Sequence, residues 1–440
     1  MSRKVFISFL GTTDYFPSRY YRGKKFCSEV EKYVQIAALQ YVQGKAVWTK
    51  EDVAYILLTK SAEERNWHDN GHRDRDGNVK ENAGLESCLK RNRFPFQYHP
   101  VQNIPEGKNE KEIWQIFKKI HGLIKDGDEL YFDITYGYRY LPMLVVVLGN
   151  YSKFLEKAKV IHILYGNYEG RDRDENGNFV TPARSPIVDL QSFSILQDWT
   201  YAVADFINNG NADRMSDLTY DVSAPLIKKG HERADALNRL VLSIKDFAKD
   251  METCRGQNIV DGVNTTALND NLKILQSLLQ NDNDASVDEL LIPVFGKIRE
   301  MVADFDTDTN IQNGFMAVDW CISHRLYQQA ITILQESVKN YFCVMLGYRI
   351  EDDIKRKKIE ALLEAAKYTS AYMLPVEIGL PKGETEWSVA MKDVASDYDV
   401  LRKLRNDFNH SGFNERPASP SVIEETIKDK YKSIKSALDI

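Results

Sequence analysis

The sequence predicts an α/β domain with a Rossmann-like parallel sheet, followed by an all-α region. Two observations carry this. Over the first 200 residues, short runs rich in β-branched or aromatic residues alternate with helical stretches, the pattern of a parallel sheet covered on both faces. From about residue 190 strand-like runs become few and a helical period takes over to the C-terminus.

In chain order, the first candidate strand is Val5-Phe6-Ile7-Ser8-Phe9-Leu10, apolar apart from one serine. Four more follow at 53–58, 96–101, 129–135 and 159–165. Helices are expected at 28–41, 110–124 and 141–155, the last with Pro142 in the tolerated first turn. Two polar loops, 66–84 and 167–184, read as hairpin turns. The second imitates the start of a calcium loop through Asp172, Asp174, Asn176 and Gly177, but Ala183 stands where a bidentate glutamate is required. Beyond them the periodicity predicts helices at 191–208, 212–251, 267–280, 286–305, 311–346, 353–369, 389–410 and 424–438, with breaks at 254–265, 281–284 and 372–386. The run Lys355-Arg356-Lys357-Lys358 after Glu351-Asp352-Asp353 reads as a solvated helix start.

Composition narrows the function classes. A chain of 440 residues, 43% hydrophobic and 28% charged, supports two or three cored domains. No apolar stretch reaches the length of a membrane span, and the short run after Met1 is too brief for a signal peptide, so a cytoplasmic protein without membrane contact is expected. Five scattered cysteines without a C-x-x-C pair indicate neither a disulfide framework nor a zinc site. A net charge of −6 excludes a global basic field, so any nucleic-acid contact must be local.

Three motifs carry chemistry. Gly11-Thr12-Thr13 follows the first strand, where open α/β sheets bind ligands and where small residues let backbone N–H groups approach phosphate; a plain turn has the same spelling. Asp133-Ile134-Thr135-Tyr136-Gly137-Tyr138-Arg139 ends the fourth strand and delivers a hydroxyl, an aromatic ring, a glycine and a cation into the turn that opens a helix. The alternative is that Asp133 pairs with Arg139 while Tyr136 packs. Near the C-terminus, Arg405 and His410 are separated by four residues on a helix that Gly412 is expected to stop. Arginine is a forked donor for phosphate oxygens, and histidine is the side chain that changes charge near neutral pH. Five residues turn roughly 140° past one revolution, so Asn406 and His410 share a face and Arg405 does not. Ordinary surface and cap chemistry is the alternative reading of this motif.

Taken together, the Phe-Leu-Gly-Thr-Thr turn, Asp-Ile-Thr-x-Gly-x-Arg after a buried strand and the distal R-x4-H helix resemble the CARF-HEPN ribonucleases that accompany type III CRISPR systems. The resemblance implies a CARF ligand-sensing domain at 1–200, a helical linker or insert at 201–310 and a HEPN ribonuclease domain at 311–440. It implies a homodimer, or a higher even oligomer, that binds a cyclic oligoadenylate through Gly11, Thr12, Thr13, Thr135, Tyr136, Gly137 and Arg139, with cyclic tetra-adenylate the expected ring. It also implies a composite, metal-independent endoribonuclease site in antiviral defence, made of Arg405, Asn406 and His410 and acting on single-stranded RNA without a cofactor. A ring of even size has a two-fold axis, which a dimer can share with both sites. Attack by a ribose 2′-OH on the adjacent phosphorus would leave a 2′,3′-cyclic phosphate and a 5′-OH. A ligand-responsive regulator that binds nucleic acid without cutting it is the alternative function.

Overall fold

The computed structural model describes residues 2–227, 231–280 and 287–440. Two compact units, Met1–Ile195 and Leu196–Ile440, divide the chain.

The first unit holds one sheet with strands β1 (Lys4–Phe9), β2 (Ser18–Arg22), β3 (Phe26–Glu31), β4 (Val53–Leu57), β5 (Gln97–Val101), β6 (Glu129–Asp133), β7 (Lys159–Gly166) and β8 (Ala183–Asp189). Their order is β3-β2-β8-β7-β6-β1-β4-β5. β1, β4, β5, β6 and β7 run parallel, as expected of strands joined by helices, with β5 (QYHPV) the exposed edge of the five. β8 lies antiparallel to β7, and the β2–β3 hairpin extends that side through β8. The chain winds outward from β1 to β4 and β5, then returns to place β6 and β7 on the other side. The β1–β6 boundary is therefore the switch point where such sheets open a crevice at their C-terminal ends.

Side chains alternate across the sheet with the period of two that a pleated strand imposes. Val5, Ile7, Phe9, Leu130 and Phe132 face a core built with helices Glu110–His121 and Leu141–Leu155. Phe6, Ala54 and Tyr131 face the core of helices Val34–Gln43 and Leu85–Asn92. Phe6 and Phe132 are fully buried, each contributing roughly 1.5–3 kcal/mol of hydrophobic stabilisation.

All five expected strands form, and three others were not legible. β2 buries only Ser18 and Tyr20, so no apolar alternation marks it. β8 contains Pro186, a residue that ordinarily argues against an internal strand. The helix expected over 28–41 is a correction: β3 occupies Phe26–Glu31, and the helix begins only at Val34. Pairing with β2 wins there, the Ser28 hydroxyl accepting the Tyr20 N–H at 2.9 Å.

Both polar loops contain the expected tight turns, bridged antiparallel at Arg73–Val79 and Arg173–Phe179. They are built alike. Asp74 Oδ1 accepts the N–H groups of Asp76 at 2.9 Å and Asn78 at 2.8 Å, and Asp174 Oδ1 accepts those of Asn176 at 3.0 Å and Asn178 at 2.8 Å. Arg73 donates to the Gly77 carbonyl at 3.1 Å and Arg173 to that of Gly177 at 2.6 Å. Gly77 and Gly177 sit in the left-handed region at φ 84° and 80°. The loops leave β4 and β7, the strands immediately outside β1 and β6.

In the second unit one hydrophobic core runs from Trp199 to Leu438. The helix expected over 311–346 is two, Gln312–Ser323 and Tyr327–Met345, parted where Arg325 takes φ 60°. Within 212–251 the described helices are Asp213–Ile227 and Glu232–Glu252, while the break at 281–284 lies outside the described residues. Asp352 caps helix Asp353–Ala366, accepting from Ile354 N at 3.0 Å and Lys355 N at 3.1 Å. The solvated reading of the basic run needs correcting at Arg356, which turns inward to Glu336 and Asn340 and donates to the Ile350 carbonyl at 2.7 Å. Helix Glu386–Asn409 starts in a capping box formed by Thr385 and Ser388. No described helix is long and apolar enough to cross a membrane.

Candidate functional site

The turns after β1 and β6 lie side by side because their strands pair in register, Ser8 opposite Asp133. Asp133 is fully buried and holds this corner rigid. It accepts the Ser8 hydroxyl at 2.7 Å, the Thr135 hydroxyl at 2.5 Å and the Thr135 N–H at 3.1 Å. Burial pushes its carboxyl above the usual carboxylate range, and the Thr135 and Ser8 hydrogen bonds offset part of that. Thr135 Oγ1 in turn accepts the Gly166 N–H at 2.8 Å, tying the end of β7 to the same corner.

The alternative Asp133–Arg139 pair does not form. Arg139 is exposed and has no ion pair or hydrogen bond among the described residues, a free cation on the turn that follows β6. Tyr136 does pack: its ring lies 4.0 Å from that of Tyr15, and burial pushes its hydroxyl up to about 12. Gly137 is exposed beside it.

Gly11 and Thr12 are half-buried and Thr13 is exposed. A Cβ on Gly11 would come within 2.4 Å of the Tyr15 hydroxyl and 3.2 Å of Tyr136 Cβ, so any larger residue would have to displace the buried Tyr15 ring where the two turns meet. The loop is clamped by Asn66, whose amide donates to the carbonyls of Gly11 at 3.0 Å and Thr13 at 2.9 Å. With both carbonyls held from behind, the loop is stiffened before any ligand arrives. Asn66 is fully buried, and its Oδ1 lies 3.0 Å from His72 Nε2. Asp14 sits between Lys32 at 3.2 Å and Lys80 at 2.8 Å; burial works to raise its carboxyl, but the two lysines hold it below its ordinary range. Asn66 was missed in the sequence because it lies 53 residues from Thr13, in a helical segment, Glu63–Trp67, too short to show a period.

The second group of predicted residues lies at the C-terminal end of helix Glu386–Asn409. His410 caps it, exposed, its N–H donating to the Asn406 carbonyl at 3.0 Å, and Asn406 is exposed one turn before it. Arg405 points to the other side, half-buried, with Nε buried and lacking a hydrogen-bond partner among the described residues. A buried guanidinium donor without a partner is costly and is the kind of group a substrate can satisfy. The turn beyond begins one residue earlier than expected: Ser411 already takes φ 55°, ahead of Gly412 at 72°. Asp407, also unforeseen, braces it by accepting from the Asn414 side chain and from Ala418 N at 3.1 Å. Among the described residues no three His, Cys, Asp or Glu side chains gather as a metal-binding cluster.

No family model matches the chain. A CRISPR-associated protein of Methanocaldococcus jannaschii is 23% identical over 260 residues, 58% of this chain and 36% of that protein. The chain thus spans little more than a third of that curated relative's length. Among solved structures, Enterococcus italicus Csm6 bound to cyclic hexa-2′-fluoro-hexa-dAMP aligns over 100% of this chain and 94% of its own, at 11% identity and a TM-score of 0.39. That likeness is loose, and the fold rests on the strand order and register of the chain itself. In sequence, this chain is a relative of a CRISPR-associated protein, the class to which its CARF-like and HEPN-like motifs point.

Proposed function

We propose that this chain is a cyclic-oligoadenylate-activated endoribonuclease of type III CRISPR defence. In this reading the first unit is the CARF sensor, 201–310 a helical linker and 311–440 the HEPN effector, acting as a cytoplasmic homodimer. The observation that carries it is the meeting of Gly11–Thr13 and Thr135–Arg139 at the β1–β6 switch point, the place where sheets of this kind open a crevice, with an unpaired guanidinium on the second turn. Amides and an arginine in such a crevice suit a phosphodiester ring whose phosphates repeat around an axis.

At the far end of the chain, Arg405 would stabilise the charge that develops on phosphorus while His410 handles a proton, with Asn406 as their polar companion. The nucleophile is the 2′-OH of the RNA, so the products are a 2′,3′-cyclic phosphate and a 5′-OH, and DNA is spared. A composite site needs two chains, because one helix end presents Arg405 and His410 on different sides. No metal ion or cofactor takes part in this scheme, and cyclic tetra-adenylate is the activator assigned.

The test is cleavage of a fluorogenic single-stranded RNA with and without cyclic tetra- or hexa-adenylate. Cleavage that requires the ring supports the reading. Ring binding with RNA retained but never cut would replace it with a non-cutting regulator, and absence of ring binding would remove the sensor assignment.

A further inference from the structure

Just beyond Thr13 the chain places Phe16 in solvent, 68% exposed, where it serves no core. Its ring lies nearly parallel to that of Tyr168, with centroids 6.2 Å and planes 13° apart. The Arg171 guanidinium is 4.4 Å from the Tyr168 centroid and 3.5 Å from that of Phe179, and Arg173 lies 4.0 Å from the same Phe179 ring. A pair of rings, Phe16 and Tyr168, is thus followed by alternating guanidinium and ring: Arg171, Phe179, Arg173.

Exposed aromatic rings interleaved with cations receive nucleobases, since every base has a face to stack and a phosphate nearby. The row is anchored to the crevice at both ends of its ring pair. Phe16 follows Thr13 by three residues, and Tyr168 follows Gly166, whose N–H Thr135 binds at 2.8 Å. A base held between two rings needs them roughly 7 Å apart, twice a carbon–carbon contact. Phe16, outside any strand, has only a small opening to make.

We propose that Phe16 and Tyr168 form a stacking subsite for an adenine base of the activator, with Arg171 as the cation behind Tyr168. This rests on the sensor reading above. It assigns base recognition to the rim, whereas the switch-point turns supply phosphate contacts.

The experiment uses a cyclic tetra-adenylate carrying one 2-aminopurine, whose fluorescence is quenched when it stacks. Full-length wild-type protein is expected to bind and quench it. Phe16→Ala and Tyr168→Ala should each weaken binding roughly ten- to a hundredfold and restore fluorescence. Phe16→Trp should retain quenching where Phe16→Leu loses it, which separates stacking from plain apolar contact. If Arg139→Ala weakens binding while both alanine variants keep wild-type midpoints and quenching, the subsite is wrong and the sensor reading stands. If wild-type protein binds no cyclic oligoadenylate, both fall.

Discussion

Ser8 on β1 gives its hydroxyl to Asp133 on β6 at 2.7 Å, one strand across and in register. The one polar residue between Val5 and Leu10 is thus the partner of the buried carboxyl group that holds the two turns together. Ser8→Ala should leave that acceptor short of a bond and destabilise the first unit by roughly 1–3 kcal/mol. Urea unfolding monitored in that unit checks it; an unchanged midpoint would show that the bond contributes nothing.

Asp133 also sets a pH dependence opposite to that of most carboxylates. Burial raises its folded-state pKa, so its contribution to stability is fully present below the ordinary carboxylate range and declines as pH rises through the raised folded value. Asp133→Asn should therefore gain stability relative to wild type as pH rises toward neutrality. Denaturation of both proteins at a series of pH values tests the sign, and a relative loss on raising pH would contradict it.

Arg139 is exposed and unpartnered among the described residues, so Arg139→Ala should be silent for folding. Activator binding should weaken by roughly 1.5–3 kcal/mol per copy, a charged hydrogen bond's worth. Titration of RNA cleavage against cyclic tetra-adenylate reads this as a rise in the half-activating concentration, and an unmoved midpoint in a folded dimer would reject the placement of the ligand.

At the other end, His410→Ala should lower RNA cleavage by ~10²- to 10⁴-fold with activator affinity unchanged. Arg405→Ala should do likewise, and cleavage by the wild type should survive EDTA. A heterodimer with Arg405→Ala on one chain and His410→Ala on the other tests the composite site. Wild-type rates from the His410→Ala homodimer would return the protein to the non-cutting class.

In the proposed ribonuclease reading, Asp407 would position His410 rather than touch the substrate. Its carboxylate braces the turn through Asn414 and Ala418, so Asp407→Ala should let His410 wander. Misplacement of that order costs up to ~10²-fold in kcat. Hydrogen exchange across 410–418 should quicken in parallel, with Asp407→Asn recovering part of both; slowed catalysis without faster exchange would assign Asp407 another role.

The parallel sheet was legible because β1, β4, β6 and β7 are compact apolar runs, with β5 (QYHPV) the weak exception at the edge, and the helix over Leu141–Leu155 because Pro142 marks its first turn. β2 and β8 were hidden by composition, since β2 (SRYYR) buries only two side chains and β8 carries a proline. The crevice could be read as two motifs but not as one place: adjacency comes from the 125-residue separation that Ser8 and Asp133 close. Asn66 and Asp407 were invisible for a related reason, as a single side chain that binds distant backbone leaves no periodic trace.

The turns at 73–79 and 173–179 obey one spelling: arginine, aspartate, two unconstrained positions, glycine, asparagine and an apolar residue. Because each is braced by its own aspartate and arginine rather than by the sheet, its shape is indifferent to what fills the unconstrained pair, Arg75 and Asp76 in one and Glu175 and Asn176 in the other. The margins on either side of the switch point are in that sense interchangeable cassettes. Exchanging either pair would change the charge at that margin while leaving the turn that carries it in place.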